Sequence, residues 1–422
     1  MVISISKEKI YYELLCLYIN LMMVFDCIAD TFLFFDYRFT ARSVLQKALY
    51  IVLFAALILS GEYYGKKLRK SFSIIGVFAV ITVASAMATP EIVSILTRAL
   101  TIFLIYFIGL IIFVPHITNF EKFLVCFEKY FVIDIIYSAL NILVHNKIEH
   151  AYSMSFSYNS FWLSGLALIW FFKQGKLRYL FIYILNLISN LIGGARGGIL
   201  CNVFLFFFCF IVIYHPGRKN TNLLIRTLIF IGLIGVGAIA AVISLGERLL
   251  NLRSLFMLSG RSSDFLTGRG AIYAVLWKKI LTIPFEFRGI LSDRIYLANS
   301  FGSFDADYSF TSYAHNFIFE ILYQYGLVLG MTILILAVIF VVKTLKTVRR
   351  KWKQKNSFCI FYVLSLAAAF GQLSFSSSYL NTMNFGLAVA AVMVAMEFEK
   401  LGYKKRKFSL DRVNLKVNEV QI

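Results

Sequence analysis

Five histidines occur in 422 residues. One of them, His315, stands where a polar stretch turns apolar, in TSYAHNFIFEILYQYGLVLG (residues 311–330). Ser312 suits an N-cap, which puts His315 in the first turn of the helix that follows. The partial positive charge at a helix N-terminus disfavours imidazolium and so favours a neutral ring that can accept a proton near pH 7. A neutral histidine at the outer edge of a membrane is suited to general-base work. The plainer reading is an interfacial histidine hydrogen-bonded to a neighbouring loop. Asn316 follows directly, and Glu320 lies five positions on, not squarely on the same helix face.

Arginines supply the complementary chemistry. In NLIGGARGGIL (residues 190–200), Gly193, Gly194, Gly197 and Gly198 flank Arg196 at the start of an apolar run. Glycine lets the backbone approach a ligand and leaves N–H groups uncovered. Bare N–H groups, a guanidinium and a helix start together suit an anion, phosphate above all. The alternative is a tight helical hairpin whose arginine snorkels to lipid headgroups. Arg269 precedes an apolar helix in FLTGRGAIYAVLWKK, beside a glycine pair. Arg288, in PFEFRGIL, and Arg98, shallow in an apolar run, are further candidates. Lipid phosphate accounts for any one of them equally well. Asp26 and Asp30 lie one turn apart in the first apolar run. Intramembrane ions are functional candidates by default, and the reading favoured for Asp26 is an ion pair with an arginine that holds helices together.

These residues sit in a chain that is 60% hydrophobic and only 15% charged, against about a quarter charged in a soluble domain. Apolar runs recur from end to end, the signature of an all-α polytopic membrane protein. Twelve spans are expected, at 13–35, 45–63, 71–89, 92–114, 122–144, 157–173, 179–194, 197–214, 223–245, 313–342, 357–375 and 383–398. The segment MVISISKEKIYY leads into a full-length apolar run without an A-x-A-like cleavage site, so it reads as a retained first helix. The net charge of +20 would suggest nucleic acid in a soluble protein. Here the positive-inside rule and anionic lipid headgroups explain it, and no nucleic-acid partner is expected. The six cysteines fall in or at the ends of apolar segments, with no metal spacing and no invitation to a disulfide.

Basic residues concentrate in GKKLRK, KQGKLR, HPGRKN, KTLKTVRRKWKQK and EKLGYKKRK, which assigns those segments and both termini to the cytoplasm. The chain then divides into nine spans (1–245), one long outward loop (246–312), three further spans (313–399) and a basic cytoplasmic tail (400–422). The loop of 67 residues carries six arginines, at 248, 253, 261, 269, 288 and 294, against six acidic residues. Within it, GAIYAVLWKKILTI is apolar enough to lie on the membrane surface as a helix.

The order ARGG after an apolar segment, then GRG…W…P in a long outward loop, then AHNFIFEILYQYGLVLG, resembles the O-antigen polymerase and O-antigen ligase superfamily of bacterial membrane glycosyltransferases. The resemblance covers roughly residues 180–345, and its most specific part is AHN-x-x-x-E-x-x-x-x-x-G. It implies a fold like that of the lipid-dependent, GT-C-like glycosyltransferases, located in the bacterial inner membrane with its active site facing outward. It also implies a glycan substrate carried on undecaprenyl diphosphate, no metal or other cofactor, and chain-length regulator and flippase proteins as partners. The catalytic histidine of the family would match His315, and its diphosphate-binding arginines Arg196 and Arg269. A polymerase, a ligase acting on lipid A core and a transporter or flippase of lipid-linked glycan all remain open on the residues alone.

Overall fold

The computed structural model describes residues 7–32, 38–59, 65–145, 154–192, 196–213, 269–301, 313–352, 357–375 and 377–398, and all regular structure among them is helical. The helices are α1 (Lys7–Phe32), α2 (Arg38–Leu59), α3 (Gly65–Ala88), α4 (Pro90–His116), α5 (Phe120–Val125), α6 (Tyr130–His145), α7 (Met154–Asn159) and α8 (Phe161–Gln174). They continue with α9 (Leu177–Ile192), α10 (Arg196–Ile213), α11 (Arg269–Thr282), α12 (Ser292–Phe301), α13 (Phe317–Trp352), α14 (Ser357–Phe375) and α15 (Met383–Phe398).

Five of these, α1, α3, α4, α13 and α14, are long and apolar enough to cross a membrane. Only 17% of the most apolar stretch of α3, and the same share of α13, is buried inside the protein. Val77, Val80, Val83 and Met87 on α3, and Ile335, Val338 and Ile339 on α13, lie exposed. An apolar surface of that extent is unsuited to water and suited to lipid.

Several expected spans differ in detail. The stretch 223–245 lies outside the described residues. The expected span 122–144 is divided between α5 and α6 by a tight turn, in which Cys126, Phe127 and Glu128 N–H groups donate three residues back, to Phe123, Leu124 and Val125. Aromatic packing pins this corner: Phe120 meets Phe358 and Phe361 at ring-centroid distances of 4.9 and 5.2 Å, and Phe127 stacks on Trp162. The expected span 157–173 likewise starts as the short α7 and restarts at Phe161. The cysteines are all free thiols, buried except for the half-buried Cys209. Asp26 accepts a hydrogen bond from Asn159 Nδ2 at 3.0 Å; the side chains of Asp30, Arg38 and Arg42 lie outside the described residues. One end of the bundle collects ion pairs that tie neighbouring elements, Lys122 to Glu8, Lys129 to Glu13 and Lys70 to Glu397.

The largest departure is in α13. Its helical path is interrupted at Gly326, with φ 75° and ψ 167°. The expected span 313–342 is therefore a short arm, 317–325, followed by a long arm, 327–352. Gly330 on the long arm comes against Ile321 O and Leu322 Cα of the short one. The backbone of 284–290 fills the corner: Leu327 N–H donates to Pro284 O at 2.7 Å, and the Arg288 and Gly289 N–H groups both donate to Gln324 O. Glycine is needed at 326 twice over, for a backbone region essentially closed to other residues and because a Cβ would sit 2.8 Å from Glu286 O. Gly326→Ala is expected to open this corner, at a cost of roughly 1–3 kcal/mol for the backbone strain alone. Limited proteolysis should then cut residues 283–291 faster than in the parent, and an unchanged digestion rate would refute the tight corner.

Candidate functional site

The structure moves the helix start next to His315. Asn316, not Ser312, is the cap of the short arm: its carbonyl accepts the Glu320 N–H at 3.0 Å, and its Oδ1 accepts from Ile318 N–H at 2.9 Å and Phe319 N–H at 3.4 Å. An asparagine oxygen at that position satisfies two donors the helix leaves orphaned. His315 is thus the residue before the cap rather than part of the first turn. Its φ is 53°, and among the described residues only His315 and Leu291 are non-glycines with positive φ. The Asn316 amide also donates to Ser374 O at 2.7 Å, which fastens this corner to the end of α14.

Around His315 lies a polar cluster drawn from α12, the short arm of α13 and the stretch 378–381. Asp293, Arg294, Glu320 and Gln324 are all fully buried. Asp293 Oδ2 accepts the Ala314 N–H at 3.3 Å, and its Oδ1 accepts from Gln324 Nε2 at 2.7 Å. Gln324 Oε1 in turn accepts from the Tyr379 hydroxyl at 2.5 Å. Glu320 Oε1 accepts from the Ser378 hydroxyl at 2.5 Å. Arg294 donates to Asn381 Oδ1 at 3.1 Å and lies 5.3 Å over the Tyr313 ring. The Tyr313 ring lies 4.1 Å from the imidazole of His315, centroid to centroid. Burial pushes the Asp293 carboxyl above its usual range, while the Arg294 guanidinium and the Gln324 amide pull it back.

Sequence reasoning counted Arg294 only as one of six loop arginines and set Glu320 aside on its spacing. Nothing local marks Arg294, whereas Glu320 is the acidic residue of the AHN-x-x-x-E arrangement. Asn381 is 87 residues from Arg294 and Ser378 is 58 from Glu320. Asp134, also fully buried, was not singled out; it accepts from Asn186 Nδ2 at 3.3 Å and joins α6 to α9.

The nominated arginines fall into two groups. Arg269 opens α11. That helix runs beside the short arm of α13 in the same direction: Tyr273 stacks on Phe319 at 4.7 Å, and farther along Arg288 bonds both Lys279 O and Tyr323 O. Arg269 precedes Tyr273, and His315 precedes Phe319, by four residues, so both lie at the same end of the helix pair. Burial raises the Tyr273 hydroxyl pKa, and the charge of Arg269, one turn back on the same helix, opposes the rise. Arg196 opens α10. Cys201 of α10 lies against Gly371 of α14, and its thiol reaches Ala368 O. Arg196 lies about 7.5 Å beyond Cys201 along its helix and Ser374 about 4.5 Å beyond Gly371. Both are therefore at the His315 end. Of the glycines there, Gly197 and Gly198 admit neighbouring side chains, Tyr158 at the first and Asn190 and Ser157 at the second.

Arg288 and Arg98 lie elsewhere. The buried Arg288 guanidinium serves the Tyr323, Ile283 and Lys279 carbonyls, pairs with Glu286 and stacks over Tyr323. Its own carbonyl accepts from Thr89 Oγ1 at 2.7 Å, which docks the loop on the α3–α4 corner. Arg98 lies on the exposed face of α4.

No protein-family model matches this chain, and neither a curated protein nor a solved structure is significantly similar to it. Function is therefore read from the residues themselves.

Proposed function

We propose that this chain is a membrane glycosyltransferase, a polysaccharide polymerase that moves a growing glycan from undecaprenyl diphosphate onto a lipid-linked repeat unit. The observation that supports it is the location of three helix starts at the same end of the bundle, those of α10, α11 and the short arm of α13, with Arg196 and Arg269 opening the first two and His315 just before the cap of the third. Three N-termini and two arginines make an electropositive mouth suited to a diphosphate. Polyprenyl diphosphate is already a good leaving group, so cationic neutralisation serves in place of a metal or an acid. His315 takes the proton from the acceptor hydroxyl as it attacks the anomeric carbon, and the glycan–diphosphate bond breaks with its electron pair on the phosphate oxygen. In this reading the protein lies in a bacterial inner membrane with both termini cytoplasmic and this end outward, alongside the flippase and chain-length regulator such a pathway requires.

The ligase reading uses the same chemistry with lipid A core as acceptor. Transport of lipid-linked glycan is favoured by two particular observations, the interrupted helix at Gly326 and the charges buried beside it. Purified protein in detergent, where nothing can be transported, separates these readings. Lipid-linked repeats should lengthen under the polymerase reading; lengthening only when lipid A core is supplied would select the ligase, and no transfer to either acceptor would leave transport. In the same assay Arg196→Lys should lose most of its activity at normal protein level, because lysine keeps the charge but not the two-pronged fork that phosphate recognition uses. Near-normal product would return Arg196 to binding lipid headgroups.

A further inference from the structure

We infer that Asp293 and Arg294 are positioning residues for His315: Asp293 holds the left-handed backbone through the Ala314 N–H, and Arg294 backs the Tyr313 ring against which the imidazole lies. This rests on the reading of His315 as the base and adds to it the groups that aim it.

The geometry gives each residue a separate task. A histidine at φ 53° persists only where its surroundings over-determine it. The chain on the C-terminal side of His315 is held by the Asn316 cap and the Asn316–Ser374 bond. On the N-terminal side, the hold on the backbone is the Ala314 N–H bond to Asp293, and Ala314 is itself fully buried. Asp293 cannot shift to release it, because its other oxygen is held by Gln324, whose own oxygen is held by Tyr379. Arg294 is fixed from behind by Asn381 and presents its guanidinium to the tyrosine ring, an arrangement electrostatically favourable in a desolvated site. The imidazole is thus wedged from one side by a ring that cannot retreat. A general base contributes only while within hydrogen-bond reach of its proton, so a loosened histidine would bind substrate as before and turn over slowly.

The test exchanges one hydrogen bond end for end in the full-length protein in detergent. Asp293→Asn removes one of the two acceptors that serve Ala314 and Gln324. Combining it with Gln324→Glu restores the pairs to residue 293 and to Tyr379, since the new carboxylate accepts from the asparagine amide and still accepts from Tyr379; only the longer, 3.4 Å bond from the Gln324 amide to Glu320 is given up. Two readouts are taken: the imidazole NMR signal of His315 in histidine-labelled protein, with only five histidines to assign, and the turnover of lipid-linked repeats. In Asp293→Asn the His315 signal should move while the other four histidines stay. The kcat should fall by about a hundredfold with KM changed less than about threefold, in keeping with loss of general-base aid. The double variant should return the signal and bring kcat back to within a few-fold of the parent. A His315 signal unmoved in Asp293→Asn overturns the inference. So does a double variant that recovers neither signal nor, if the single variant fails to accumulate, the folded protein. The spectrum reads the positioning whatever the reaction is, whereas loss of the base reading would show as full activity in His315→Ala with the Asp293 spectral effect intact.

Discussion

His315→Ala is expected to insert and fold as the parent does and to form almost no polymer, with turnover reduced by roughly a hundredfold to ten-thousandfold. The fold should survive because Asn316, not His315, caps the short arm and ties it to Ser374. Donor binding should survive because, in the proposed reading, arginines and lipid contacts rather than the imidazole hold the diphosphate. Alanine is less at ease than histidine at φ 53°, so His315→Asn is the sharper companion: asparagine tolerates the left-handed region and can hydrogen-bond a hydroxyl, but it cannot take a proton. Activity in the asparagine variant would show that His315 only orients the sugar. Activity in both would make it an ordinary interfacial histidine.

Arg294→Met should cost about 3–5 kcal/mol of stability, the usual consequence of removing one member of a buried charge group. Methionine fills much of the space, so the loss is electrostatic: Asp293 and Glu320 stay buried near one another without their cation, and Asn381 loses its donor. Adding Glu320→Gln removes the second buried carboxyl beside Asp293, which would otherwise compete with it for ionisation, and should recover part of the loss. Thermal inactivation half-lives in detergent measure both, since membrane proteins seldom unfold reversibly. A single variant as long-lived as the parent would mean that the cluster is not held together by charge.

What could be read in advance follows from what is local. Apolar runs announce helices, and α3 and α14 lie close to where hydropathy alone puts them, because a run of that composition admits few other backbone states in lipid. The helix starts at Arg196 and Arg269 were legible too, since glycine, arginine and a helix start are neighbours in sequence there. The break at Gly326 was not: YQYGLVLG keeps its apolar character across the glycine, and a glycine inside a helical pattern is usually tolerated. What breaks the helix is the backbone of 284–287 pressed against it, some forty residues earlier in the chain. Arg294 was illegible for the same reason. Among six loop arginines only tertiary contacts with Tyr313 and Asn381 distinguish it. Choosing Ser312 as cap was reasonable on residue preference, and the next good capping residue, Asn316, won because its side chain also reaches Ser374.

The two arms of α13 also bear on how the protein meets bilayers of different thickness. The long arm, 327–352, measures about 39 Å at 1.5 Å per residue, but its apolar part, 327–342, measures about 24 Å before Lys343, against a hydrocarbon core of about 30 Å, so its tilt depends on how far the host membrane thins around it. Were α13 a single rod, every degree of that tilt would swing His315. The break at Gly326 is instead a fixed joint, packed against the backbone of 284–290, with the short arm clamped to α11, α12 and α14 on its far side. Thickness is absorbed by the lipid around the long arm, and the histidine keeps its place as the membrane around it changes.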